Sequence, residues 1–382
     1  MRRTLSDWLT YQESLNPAEI ELGLGRVADV LARLDVQAPP QRVFTVAGTN
    51  GKGSCVAALA AVLEANALRT GVYTSPHLLR YNERIVVAGE PVADGELVAA
   101  FERVEAARGG VPLTYFEYGT LAALVVFAAA DCDAWVLEVG LGGRLDAVNV
   151  IDPDFPVITT VDLDHQAWLG DTIEAIAREK AGIYRAGRPA FYGELPVPES
   201  VRARVAELGT QLITPEQGYR YSVDERSGQW AWQGAAVCLR RLSLPAGGLP
   251  QVRNQAVALA ALEACEPEWL QPNSLIAAAL TNCAPPGRMQ ALRAEHDWLL
   301  DVAHNVQAGR ALAAALERLA PASVTMVLGM LRDKQAEEFV AQFTGRVQRW
   351  ITCDTPGPRG AAATDLAELL IPVLAVPVVA GG

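Results

Sequence analysis

The sequence predicts an α/β protein with a P-loop-containing central domain on a parallel-rich sheet, followed by a smaller Rossmann-like α/β domain. Three observations predict it. The glycine-rich loop Gly48-Thr49-Asn50-Gly51-Lys52-Gly53-Ser54 separates a strand-like run from an alanine-rich helical one. Apolar strand-like runs alternate with helix-period segments, the pattern of parallel strands joined by crossover helices. The stretch Cys283-Ala284-Pro285-Pro286-Gly287 interrupts a helical pattern, and a second strand–helix series follows it. The expected domains are therefore 1–285 and 286–382.

The elements follow in order. Val43 to Val46 reads as the strand before the loop, and Val56 to about Ala67 as the helix after it. A short strand (Gly71 to Thr74) precedes a helix with apolar Leu97, Phe101 and Val104. A buried helix spans about Thr120 to Ala130, and a strand runs from Ala134 to Val139. A further strand is expected over about 157–161 and a helix over about 172–183. Aromatic and β-branched residues between Tyr219 and Leu239, around Ser227-Gly228, predict a hairpin. The second series comprises Trp298 to Val302, a helix to about Leu319, Val324 to Leu328, a helix near 336–343, and Trp350 to Cys353.

Composition narrows the function. The chain has 382 residues, 51% of them hydrophobic, enough for two or three cores. A net charge of −12 disfavours a nucleic-acid partner, which would meet a basic face. Leu121 to Ala130 is cut off by Asp131 and Asp133 and is too short to span a membrane. The N-terminus lacks an apolar h-region, and the six cysteines form no C-x-x-C pair. These features predict a cytoplasmic protein.

The loop carries the strongest chemical signal. Glycines let backbone N–H groups curl around an anion, and the helix start adds partial positive charge. Lys52 supplies a full charge, and Ser54 can offer its hydroxyl to a magnesium ion. Gly53 separates the lysine from the serine, which distinguishes this loop from the standard P-loop. A nucleotide site is expected.

Three of the four histidines, His77, His165 and His304, fall at the ends of predicted strands, where open α/β sheets bind ligands. Glu138 interrupts an apolar strand immediately before Gly140-Leu141-Gly142-Gly143, and a carboxylate there needs a partner or a metal. With Asp162, Asp164 and His165 after the next strand, we expect carboxylate and imidazole ligands to converge on one ion. Lys180 shares the apolar helix face of Ile173, Ile176, Ala177 and Ile183. A buried neutral amine could form a carbamate with carbon dioxide, but the residues by themselves favour a lysine snorkelling from the helix end.

The motifs taken together resemble the bacterial folylpolyglutamate synthases, especially the bifunctional dihydrofolate synthase/folylpolyglutamate synthase type of the Mur-ligase superfamily. They are the loop itself, Thr74-Ser75-Pro76-His77-Leu78, Tyr115-Phe116-Glu117-Tyr118-Gly119-Thr120 and Glu138 through Ala147. Asp164-His165, Trp168-Leu169-Gly170, Arg178 through Gly182, Pro286-Gly287-Arg288 and Asp301 through Asn305 continue them in order. The resemblance implies an ATP-dependent ligase that adds L-glutamate to dihydropteroate and to reduced folates. It implies an ATP site at Thr49, Asn50, Gly51, Lys52, Gly53 and Ser54, completed by Asn254, Arg288 and Asp301. Two magnesium ions would be held by Ser54, Ser75, Glu138, His165 and Lys180, the lysine as a carbamate, which reverses the snorkelling reading. Leu22, Gly23, Leu24, Tyr115, Phe116, Glu117, Leu145, Asp146 and Ala147 would contact the pterin. Lys52, His165, Lys180 and His304 would be catalytic, with His304 near the incoming glutamate. A monomer is implied, with neither nucleic acid nor membrane as partner.

Two departures bear on this expectation. The family usually continues His-Thr-Asp where this chain has His165-Gln166-Ala167. It also runs on past Gly382, so ending there would leave the C-terminal sheet short of an edge and weaken glutamate binding. The alternatives are a polyglutamylation-only enzyme, a cell-wall Mur ligase, an impaired nucleotide-binding protein and a P-loop kinase.

Overall fold

The computed structural model describes residues 3–16, 21–39, 42–357 and 359–381. These divide into two compact units, Met1–Pro245 with Gln251–Pro285, and Ala246–Pro250 with Pro286–Gly382.

The first unit is organised on one eleven-stranded sheet. Its strands are β1 (Val43–Ala47), β2 (Thr70–Tyr73), β3 (Ile85–Val87), β4 (Glu90–Pro91), β5 (Ala134–Glu138), β6 (Phe155–Ile158), β7 (Ala190–Tyr192), β8 (Leu212–Pro215), β9 (Gly218–Asp224), β10 (Gln229–Gln233) and β11 (Cys238–Ser243). The spatial order is β11-β10-β9-β8-β7-β6-β1-β5-β2-β3-β4. Pairing from β2 through β5, β1, β6 and β7 to β8 is parallel throughout. β1 lies where the chain crosses from β5 on one side to β6 on the other. The carboxyl ends of strands at such a point form a ligand-binding crevice.

Alternation along the strands divides the core into two layers. Val43 and Ala47 of β1, with Trp135 and Leu137 of β5, pack into one apolar cluster. Phe44 and Val46, with Ala134 and Val136, pack into the other. Successive strand side chains point to opposite faces, so both faces of these central strands are buried, as crossover helices require. The helix Tyr115–Ala129 is apolar on all sides and is buried from Glu117 to Phe127.

The second unit holds a parallel three-stranded sheet of β14 (Thr325–Leu328), β15 (Arg349–Thr352) and β16 (Val378–Ala380). It also holds a separate antiparallel pair, β12 (Gln290–Arg293) and β13 (Asp297–Leu300). This corrects one expectation. The run beginning at Trp298 does not open a second parallel series; it is one arm of a tight hairpin, because its partner lies only a few residues upstream. The loop helix also starts earlier than expected, spanning Lys52–Ala65. The strand expected over 157–161 occupies Phe155–Ile158, which leaves Thr159 and Thr160 beyond its end.

Candidate functional site: a phosphate loop over a buried lysine

The loop emerges from the carboxyl end of β1. Gly48 and Gly51 have backbone φ of +155° and +85°, and each is backed by a side chain where a Cβ would stand. At Gly48 that Cβ would lie 1.9 Å from Thr159 Oγ1, and at Gly51 2.3 Å from Asn254 Oδ1. Glycine is therefore required twice, for conformation and for space. The Lys52 ammonium donates to the carbonyls of Gly48 (2.9 Å) and Thr49 (3.2 Å). Ser54 is buried in the first helical turn, and among the described residues its Oγ has no hydrogen-bond partner. A buried, unmatched hydroxyl is costly unless a ligand uses it.

Glu138 ends β5 and is 5% exposed. Its Oε2 accepts the Ser75 amide at 3.1 Å, and its carboxylate stands 3.8–3.9 Å from where a Cβ on Gly53 would be. The carboxylate thus faces the loop, as a metal ligand beside phosphates would. Among the described residues no three His, Cys, Asp or Glu side chains gather into a metal cage. Glu138, Asp162, Asp164 and His165 therefore do not form together the carboxylate and imidazole cluster expected from the sequence. Asp162 Oδ1 accepts the Leu163 amide and Asp164 Oδ1 the His165 amide, each at 2.8 Å, so these carboxylates cap their own turns. His165 sits in left-handed backbone (φ 51°) at the start of the helix Gln166–Leu169. A metal here would draw on hydroxyls and phosphate oxygens as well as on Glu138 and His165, a donor set that suits magnesium.

Lys180 is 3% exposed, which overturns the snorkelling reading drawn from the residues. Gly143 explains the burial: a Cβ there would lie 2.8 Å from Glu179 O and 2.9 Å from Lys180 O. Its absence lets the 140–146 loop close on the end of the helix Ile173–Ala181, where Arg144 N donates to Glu179 O at 2.8 Å. Desolvation, reinforced by the Lys52 charge, pulls the Lys180 amine down to about 7, against the attraction of Asp164 and Asp146. Asp146 is buried as well. Burial raises its carboxyl to about 6 although it accepts the Leu141 and Val148 amides. Lys180 therefore feels the charges of Lys52, Asp164 and Asp146, and Asp146 feels that of Lys52.

The residues expected to contact the pterin are positioned by caps. Thr114 caps the helix Tyr115–Ala129 and makes a capping box with Glu117. Glu117 is not a free ligand: its Oε2 accepts the Thr114 amide at 2.7 Å, and its Oε1 pairs with Arg26 Nη2 at 3.0 Å. Arg26 lies in the helix Gly25–Leu34, directly after Leu22, Gly23 and Leu24, and ties that segment to Tyr115 and Phe116. The Phe116 ring occupies the space over Gly140, where a Cβ would come within 2.7 Å of it. Leu145 and Ala147 flank Asp146, which caps the short helix Ala147–Val150. His77 accepts Arg84 Nε at 2.8 Å, and its imidazole is held below its ordinary range by burial and then by that cation.

Arg288, Asp301 and His304 belong to the second unit. Asp301 accepts the amides of Met289 (2.9 Å) and Ala303 (2.8 Å), and His304 Nδ1 contacts Val302 O at 2.9 Å. Asn305 then caps the helix Val306–Leu319.

Residues 46–192 match the Mur ligase middle domain, and residues 287–379 the Mur ligase glutamate ligase domain. The chain is 43% identical over 367 residues to the dihydrofolate synthase/folylpolyglutamate synthase of Escherichia coli, covering 96% of this chain and 85% of that protein. The chain belongs to the dihydrofolate synthase/folylpolyglutamate synthase family of Mur ligases. The Haemophilus influenzae member is 37% identical over 385 residues, covering 96% of this chain and 86% of that protein. Among solved members, the Escherichia coli enzyme in complex with DHPP and ADP superposes with a TM-score of 0.88 at 38% identity, covering 99% of this chain and 94% of that one. A bifunctional member with Mn, AMPPNP and L-glutamate bound superposes equally well at 42% identity, covering 99% and 89%.

Sequence reasoning missed Thr159, Thr160 and Arg26. The threonines sit in an apolar run that reads as strand, and Arg26 in a helix whose contacts are remote in sequence.

Proposed function

We propose that this chain joins L-glutamate to dihydropteroate, forming dihydrofolate, and to the γ-carboxylate of reduced folates, at the expense of ATP. The observation that carries this reading is the buried, unpartnered Ser54 hydroxyl in a phosphate loop that Glu138 faces. Residues 1–285 would bind ATP and the pterin, and 286–382 would serve as the C-terminal domain contributing Arg288, Asp301 and His304. The chain is proposed to act as a monomer. Among the described residues no helix is long and apolar enough to cross a membrane.

The chemistry follows from the acyl donor. A carboxylate does not release oxide, so the γ-phosphoryl group of ATP is first transferred to it, giving ADP and an acyl phosphate. The glutamate amine, once deprotonated, attacks the acyl carbon, and phosphate leaves as the amide forms. Lys52, now hydrogen-bonded to Gly48 and Thr49, turns toward the phosphates and balances their charge. Gly51, Gly53 and Ser54 supply backbone donors at the helix start. Divalent metal held by Ser54, Ser75, Glu138, His165 and carbamylated Lys180 would neutralise phosphate charge when bound. Lys180 suits carbamate formation because its amine loses its proton near neutral pH. The amine nitrogen adds to the carbon of CO2 and releases one proton, leaving an anion. Asn254 holds the back of the loop at Gly51, and His304 is assigned to the side of the incoming glutamate.

The test is ADP release with MgATP and L-glutamate, comparing dihydropteroate, tetrahydrofolate and no acceptor. Glutamate-dependent turnover with both acceptors is expected. Turnover with the folate alone would reduce the activity to polyglutamylation, and turnover with neither would overturn the reading.

A further inference from the structure

Beyond the end of β6 two threonines grip the phosphate loop from behind. Thr159 Oγ1 donates to the Asn50 carbonyl at 2.6 Å, with the Ala47 carbonyl at 3.3 Å. Thr160 Oγ1 accepts the Asn50 amide at 3.2 Å, and the Thr160 carbonyl accepts the Thr49 amide at 2.9 Å. The Thr49 hydroxyl bonds to the backbone of Asp162 at 3.0 Å. Side chains of the segment that follows β6 therefore hold both peptide groups flanking Asn50, with the Lys52 ammonium also on the Thr49 carbonyl. Thr159 is 1% exposed, and the missing side chain of Gly48 is the space that its hydroxyl occupies.

We infer that Thr159, seconded by Thr160, is a positioning residue for the nucleotide loop, an inference that rests on the ATP-dependent reading above. Fixing the Asn50 carbonyl fixes the plane of the Asn50–Gly51 peptide. Gly51 then turns the chain at φ +85°, and the helix starts at Lys52. The Asn50 N–H is committed to Thr160, so the loop presents the donors from Gly51 onward. Without the Thr159 hydroxyl the Asn50 carbonyl loses its 2.6 Å donor and is left with the longer 3.3 Å contact from Thr160 Oγ1, so this peptide is held less tightly in the shape that receives phosphate. The same segment continues to Asp164 and His165, so the staple also ties the loop to the candidate metal side of the site.

The test compares the full chain with Thr159→Val, which keeps the shape and removes the donor, and Thr159→Ser, which restores the donor. Binding of MgAMPPNP is measured by calorimetry, and KM is measured for ATP, for L-glutamate and for the folate. One lost hydrogen bond corresponds to about a fivefold to tenfold loss of affinity. MgAMPPNP binding and KM for ATP should change by that factor in Thr159→Val, KM for the other substrates should hold, and Thr159→Ser should return to the parent values. Parental nucleotide binding in Thr159→Val, or Thr159→Ser as weak as Thr159→Val, overturns the inference. So does a loss of thermal stability with all three KM values moving together. Should Thr159→Val not fold, Thr160→Val tests the same staple from the Asn50 amide. Absence of turnover in the parent would instead overturn the ligase reading, and the calorimetric comparison distinguishes the two failures.

Discussion

At the scale of single residues, this site places polar groups where folding alone gains nothing from them. Ser54 is the plainest case, a hydroxyl buried without a partner among the described residues. Ser54→Ala should leave the thermal stability of the ligand-free chain unchanged or raise it by up to about 1 kcal/mol, since an unmatched polar group disappears. It should also raise KM for ATP by about tenfold, as loss of a metal-site partner does. A variant that is less stable yet kinetically normal would mean the hydroxyl is structural. Lys180 allows a pH test. The unfolded chain keeps this proton up to the ordinary amine value of 10.5, whereas the folded chain gives it up near 7. Unfolding between those values takes up a proton, so stability should rise with pH across that window, by at most about 1.4 kcal/mol per unit. Below the window the full cost of the buried charge is present. Chemical denaturation of metal-free, CO2-depleted protein from pH 7 upward should show this slope, and Lys180→Met should flatten it. Identical slopes in the two proteins would show that Lys180 does not titrate in that range.

At the scale of elements, the loop and the helix Tyr115–Ala129 are held by contacts from other parts of the chain. Gly51→Ala puts a Cβ against Asn254 in left-handed backbone, and should cost about 1–3 kcal/mol together with most nucleotide affinity. Gly209 is its control. It also has positive φ (+60°), at the end of the helix Glu199–Leu208, but a Cβ there meets nothing within 4 Å. Gly209→Ala should lower stability by about 1 kcal/mol and leave the kinetics untouched; equal kinetic damage in both would remove the role given to the Asn254 contact. Glu117→Gln loosens the helix cap and the Arg26 pair, and with them the 22–24 segment. It should lower the melting temperature and raise KM for dihydropteroate while KM for ATP stays put. A parallel rise in both KM values would show general loosening instead. The capping box of Thr114 and Glu117 lies in the sequence as Thr-x-x-Glu, whereas the Arg26–Glu117 pair joins two helices remote in the chain.

At the scale of the whole molecule, the loop springs from central strands buried on both faces, so nucleotide binding should register as stabilisation of the whole unit. MgAMPPNP at a hundredfold excess over its Kd should add about 2.7 kcal/mol to the unit that binds it. A differential scanning trace with no nucleotide-dependent shift would contradict an ATP site in this chain. Much of this was legible beforehand. The loop between β1 and its helix, the buried helix ending at Ala129, strand β5 and the hairpin around Gly228 all carry their signal in contiguous residues. Periodicity also put Lys180 on an apolar face, but periodicity says which side of a helix is covered and not by what. Only the approach that Gly143 permits decided that the lysine is buried, and the residues by themselves had favoured the opposite. The run from Trp298 to Val302 pairs otherwise than expected for a related reason, since a short apolar run looks alike in parallel and antiparallel pairing and only its partner decides. By itself the sequence determined the α/β class, the glycine-rich loop between strand and helix, and the family, because glycine conformation, helix starts and strand alternation are local properties. The tertiary structure alone decided which side chains hold that loop and which charges lose their water, because hydrogen bonds and desolvation depend on groups that lie far away along the chain.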